Sequence, residues 1–115
     1  MGVGFSHGNA QWSYSGYYDF CNTLCKLLGY EGVDDFKYYY IHNSNDAYHL
    51  EKLVNLSDYD DTVNTLAVDD LKDLIPLLEK LIGKLDKEGY DYWSMGELIK
   101  GMKAARDANE PFRMT

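Results

Sequence analysis

The chain has 115 residues, 45% of them hydrophobic and 26% charged, with a net charge of -8. That suits one domain over residues 1–115 with one core. Nineteen acidic residues stand against eleven scattered basic ones, which excludes the clustered basic stripe of a nucleic-acid groove. No apolar run approaches the roughly 18 residues that span a bilayer, and no basic start followed by an apolar run marks a signal peptide. No direct nucleic-acid partner and no membrane partner are therefore expected, and the cytoplasm is the expected location.

The first stretch, Ser6 to Ser15, has scarcely an aliphatic side chain. Ser6, Ser13 and Ser15 supply hydroxyls beside a helix start, where unpaired backbone N–H groups favour an anion. Trp12 and Tyr14 offer faces for a planar ligand, and His7 exchanges a proton near neutral pH. The competing reading is structural, with Trp12 covering the core and the serines capping the helix.

Tyr17, Phe20, Cys21, Leu24 and Leu28 recur at helical spacing, which predicts a helix from about Ser15 to Leu28. Ser13 or Ser15 caps it and Gly29 stops it. Cys21 and Cys25 share one face among apolar neighbours, a pattern of buried thiols rather than of a disulfide or a metal site.

Phe36 to Ile41 is rich in aromatic and β-branched residues and reads as a short strand or a helical turn. Consecutive side chains point different ways in either, so at least one of Tyr38, Tyr39 and Tyr40 faces outward. With eleven tyrosines in the chain, these three are candidate partner-binding residues, and self-association into a homo-oligomer is a second use of the same surplus. Asp46 then starts a short helix through Leu53 or Val54, with Tyr48, Leu50 and Leu53 as its apolar contacts.

Leu56 to Asp70 holds Asp58, Asp60, Thr62 and Asn64 in alternation, like the first half of a calcium loop. The match fails at Val63, where glycine is required, and at Asp69, where glutamate is. A turn with backbone-capping carboxylates is the better reading. A third helix opens near Val68 on the stripe Leu71, Leu74, Ile75, Leu78, Leu81, Ile82 and Leu85. Pro76 breaks it, either as a kink or as the junction of two helices.

The last helix runs from Asp91 or Tyr92 to Ala108, with Met95, Leu98, Ile99, Met102 and Ala105 inward. Gly96 and Gly101 allow a neighbouring helix to approach, and Asn109 and Pro111 end it. The fold class is therefore all-α or α-dominated α+β: one compact domain of about four helices, with a short strand pair from the Phe36 and Val63 regions. His7, His42 and His49 form no HExxH pair, and no nucleophile-elbow, phosphate-loop, dinucleotide or CxxC motif is present. No catalytic residue, metal ligand or cofactor follows from motifs.

Ser6-His7, Trp12 and YSGYYDFCNTLCKLLG (Tyr14 to Gly29) resemble the N-terminal pattern of a family of small uncharacterised proteins of phages and bacteria. LVNLSDYDDTV (Leu53 to Val63) and KGMKAARDANEPF (Lys100 to Phe112) resemble two further blocks of that family. The chain departs from it at Leu56, where the family has a histidine, and at Asp61, where it has a glycine. The resemblance implies a phage or mobile-element setting, and a shared polar ligand cluster of Ser6, His7, Trp12, Tyr14, Ser15, Ser57, Asp58 and Asp60.

Charge, size and tyrosine surplus lead to a non-enzymatic binding protein, and the setting that the resemblance implies would make it a phage accessory factor of the anti-defence type acting in the host cytoplasm. Its partner would be a host protein with a basic surface. One alternative is a sequestering protein for a small nucleotide-like ligand, held by the Ser6–Ser15 loop and the helix start. A further alternative is a metal-assisted hydrolase using Asp58 and Asp60 with His7 or His49.

Overall fold

The computed structural model describes residues 2–38, 45–56 and 65–115. Among them are five helices and two short antiparallel strand pairs, an α-dominated α+β domain. In chain order these are β1 (Gly2–Val3), β2 (Trp12–Ser13), α1 (Tyr14–Leu27), α2 (Val33–Tyr38), α3 (Asn45–Asn55), β3 (Thr65–Leu66), α4 (Val68–Ile82), α5 (Tyr90–Asp107) and β4 (Phe112–Arg113). Strand β1 pairs with β2, and β3 with β4.

Helix α1 begins where its caps dictate. The Ser13 hydroxyl accepts from Gly16 N–H at 3.0 Å, satisfying one of the unpaired first-turn donors. At the other end Gly29 takes a φ of +100°. This lets Gly29 N–H reach Lys26 O and Tyr30 N–H reach Cys25 O, both at 3.0 Å. That crossed pair of bonds satisfies the last carbonyls and turns the chain sharply. Tyr17, Phe20, Cys21, Leu24 and Cys25 face inward, and the two thiols are buried without a disulfide.

The Phe36 region is helical, not a strand. Two side chains, one from α1 and one from its own first turn, fix its entry: Asn22 Oδ1 accepts from Val33 N–H at 2.6 Å and Asp35 Oδ2 from Glu31 N–H at 2.9 Å. These caps, with Phe36 buried against Tyr30, outweigh the β-preference of the aromatic run. The strand pairs form elsewhere, and Val63 lies outside the described residues. Helix α3 buries Ala47, Leu50, Leu53 and Val54, whereas Tyr48 is exposed instead of making the expected core contact.

Helix α4 runs unbroken through Pro76. Proline in a helix interior costs about 3 kcal/mol. The flanking Leu74, Ile75, Leu77, Leu78 and Leu81 are all buried, each worth about 1.5–3 kcal/mol. Burial wins, and Pro76 sits on the exposed side of the helix. Helix α5 packs along α4, and α3 packs against α4 from another side. Asn109 ends α5 in the left-handed region at φ 56°, with Glu110 N–H on Ala105 O at 2.9 Å.

The two chain ends meet. Thr115 N–H donates to Gly4 O at 2.9 Å, Ser6 N–H donates to Arg113 O at 2.8 Å, and Phe5 pairs with Met114. Phe5 stacks on the buried Phe112, with ring centroids 5.2 Å apart. The N-terminal segment is thereby fastened over α5, which decides where its polar residues go.

Candidate functional site

Three different elements take up the polar residues of the Ser6–Ser15 stretch. Ser6 and His7 stay together beside the C-terminal strand. The Ser6 Oγ lies 2.8 Å from His7 Nδ1 and accepts from Arg113 N–H at 3.0 Å. His7 Nε2 stands 3.6 Å from Glu110 Oε1, and the imidazole stacks over Phe112. Beneath them the His7 carbonyl presses on the backbone of α5 at Gly101, where any Cβ would collide with it. The close approach that Gly101 allows is thus made by the N-terminal segment and not by a second helix.

Trp12 goes the other way. It is 4% exposed, stacked on Phe20 at 4.5 Å, with Tyr17 and Phe5 at its edges. Its indole N–H donates to Asp91 Oδ1 at 3.0 Å. The apolar surface of an indole is too large to leave in water when a core is near, so Trp12 is a core residue and offers no face to a ligand. Next to it, the buried Ser94 hydroxyl answers both backbone groups of Gln11, accepting from its N–H at 3.2 Å and donating to its carbonyl at 3.0 Å. The Tyr90 hydroxyl donates to that same carbonyl.

Tyr14 and Ser15 stand on the exposed first turn of α1, Tyr14 at 62% exposure. Ser57, Asp58, Asp60, Tyr39 and Tyr40 lie outside the described residues, and Tyr38 closes α2. Sequence reasoning missed Glu110, Arg113, Asp91 and Ser94, which reach the N-terminal segment from about eighty to over a hundred residues away. Local periodicity carries no signal for such partners.

The outward face of α1 has a second kind of polar structure. Tyr14, Tyr18 and Asn22 follow at four-residue spacing on one stripe, with Asp19 and Thr23 beside them. On one side a depression of about 240 Å³ is lined by Tyr18, Asn22, Glu31, Gly32, Asp34 and Asp35. On the other, one of about 300 Å³ is lined by Thr23, Leu85, Asp86, Gly89, Tyr90, Asp91 and Tyr92. Neither lining contains a basic residue.

The carboxylates here are held by their own bonds. Asp35 accepts from Glu31 N–H, Asp86 from Glu88 N–H at 3.1 Å, Asp91 from the Trp12 indole, and Asp34 from the Tyr18 hydroxyl at 3.3 Å. Such hydrogen bonds hold the carboxylate oxygens in place. The face is therefore acidic, with exposed tyrosine rings between the carboxylates.

Among the described residues, no group of three or more His, Cys, Asp or Glu converges to hold a metal ion. No described helix is long and apolar enough to cross a membrane. Buried in the core, Tyr17 donates to Leu53 O at 2.8 Å, and its phenol is held well above its ordinary pKa by burial first and by neighbouring Cys21 second. This phenol is a structural tie, closed to solvent. Comparison with protein-family models, with curated proteins and with solved structures finds no match.

Proposed function

We propose that this protein acts by binding, occupying a basic surface of a partner protein with no catalysis in that role. In the setting implied by its resemblance to small phage and bacterial proteins, it is a phage accessory factor that neutralises a host system in the host cytoplasm. The observation that carries this reading is the outward face of α1, where exposed tyrosines run between two depressions lined by carboxylates and by no cation. Tyrosine contributes contact area with few rotors to freeze, and fixed charges of one sign speed and select a partner of the opposite sign. A nucleotide-like ligand is served less well, because Trp12 is committed to the core and the carboxylates repel phosphate.

The test is affinity capture from a bacterial lysate at low and high salt, with the triple variant Tyr18→Ala, Glu31→Gln, Asp34→Asn run in parallel. A specific basic protein should be retained at low salt, released by salt, and lost from the variant. Its binding, remeasured with purified components, should weaken at least about tenfold in the variant. If no basic protein is retained, or if the variant and the salt change nothing, the reading fails.

A further inference from the structure

A different part of the molecule brings a hydroxyl, an imidazole and a carboxylate together. Ser6, His7 and Glu110 are arranged as a nucleophile, a base and a carboxylate beside the base. Glu110 faces Nε2 at 3.6 Å, which favours the tautomer with its proton on Nε2 and leaves the Nδ1 lone pair to accept from Ser6 Oγ–H at 2.8 Å. The two ring nitrogens are used in the reverse of the order seen in serine proteases. The chemistry needs only that one nitrogen accepts the hydroxyl proton while the other faces the charge.

Three further features hold this pair in place. Ser6 is hydrogen-bonded in both directions to the backbone of Arg113, through its N–H at 2.8 Å and its Oγ at 3.0 Å. The His7 backbone is pressed onto α5 at Gly101, and Gly8 takes the left-handed φ of +81° that carries the chain away. The imidazole rests on the buried ring of Phe112. A serine serving only as a backbone cap would need the Arg113 contact alone. Here the hydroxyl has an acceptor for its proton as well. Ser6 is exposed, so an acyl donor can reach it.

We propose that Ser6 is an activated nucleophile, with His7 as its general base, and that it accepts acyl groups from small activated esters. Ser6 Oγ forms a bond to the acyl carbon and its proton passes to His7 Nδ1. The C–O bond to the alcohol breaks, and the alcohol leaves with that proton. Water then attacks the acyl-serine, again through Nδ1, releasing the carboxylic acid and restoring the hydroxyl. The sum is ester plus water giving acid plus alcohol. Glu110 acts through His7 as a positioning residue.

The experiment uses the whole protein with a fluorophosphonate probe, read by intact mass and peptide mapping, and with p-nitrophenyl acetate followed across neutral pH. One probe should add to Ser6, and Ser6→Ala should take none. His7→Gln should slow labelling by about 100-fold or more, with circular dichroism confirming its fold. The exposed Glu110→Gln should slow it less and lower kcat for p-nitrophenyl acetate with KM unchanged, and Glu110→Asp should restore part of that loss. Absence of labelling, labelling spread over other serines, a rate unchanged in His7→Gln, or a kcat unmoved by Glu110→Gln would each overturn the assignment. None of these outcomes bears on capture of a basic partner by the α1 face.

Discussion

The carbonyl group of His7 occupies the space that a side chain on Gly101 would need. A Cβ there would lie 2.8 Å from the His7 carbonyl carbon and 3.2 Å from Phe112 Cε1. In Gly101→Ala the gain in helix propensity, about 1 kcal/mol, is set against overpacking of about 1–3 kcal/mol. Because the colliding atoms are backbone, a net loss is expected in urea denaturation. Gly96, whose nearest neighbour would be the flexible Ile82 side chain at 3.9 Å, is the control. Gly96→Ala should be neutral or stabilising by up to about 1 kcal/mol.

Trp12→Ala should cost about 3–5 kcal/mol, the range for an aromatic deleted from a core. Trp12→Phe keeps an aromatic ring over Phe20 but loses the bond to Asp91, and should fall between the two. Thermal melts followed by circular dichroism check the order. A Trp12→Ala protein as stable as the wild type would mean the indole is not in the core.

Pro76→Ala restores a helix hydrogen bond at an exposed position. A stabilisation of about 1–3 kcal/mol is expected, because the chain already bears the cost of proline there. Measured stability unchanged or lowered would show that α4 gains something from its proline, such as a bend that its packing requires.

Lys52 is hydrogen-bonded to Asp70, and that bond, opposed by partial burial, raises its pKa above the usual 10.5. A lysine with a raised folded-state pKa contributes stability that is complete below the unfolded value. That contribution is lost as pH rises through the folded value. The Lys52 and Asp70 side chains are 34% and 26% exposed, so the pair is worth less than about 1 kcal/mol. Denaturation midpoints of wild type and Lys52→Met should differ slightly at neutral pH and converge at strongly alkaline pH. A difference that grew with pH would contradict the pairing.

Much of the helical framework was legible before any coordinates. The Tyr17–Phe20–Leu24 stripe, the Ser13 cap and Gly29 placed α1 to within a residue or two, and the Leu71–Leu81 stripe placed α4. The Phe36 region misled because its helix is started by Asn22, eleven residues away from Val33, and by Asp35, neither of which enters a count of β-branched and aromatic types. Pro76 was ambiguous for a related reason. Whether a helix survives a proline depends on the total burial of its flanks, which one stripe only partly reports.

The candidate sites divide along the same line. Ser6 and His7 belong to the polar stretch legible in the sequence, but the groups they meet, Glu110 and Arg113, come from the opposite end of the chain. The tyrosine surplus and the charge of -8 are plain in the sequence. That carboxylates flank the tyrosines of α1 depends on α2, α5 and the turn before α5 bringing Asp34, Asp35, Asp86 and Asp91 to either side of one helix.

By itself, the sequence determined α1, α3, α4 and α5 and most of the apolar residues they bury, because periodicity and caps act over a few residues. Only the tertiary structure decided which polar groups meet. Such meetings arise when burial of Phe5, Trp12 and Phe112 draws the two chain ends onto α5, and hydrogen bonds then form among whatever backbone and side chains that closure brings within reach.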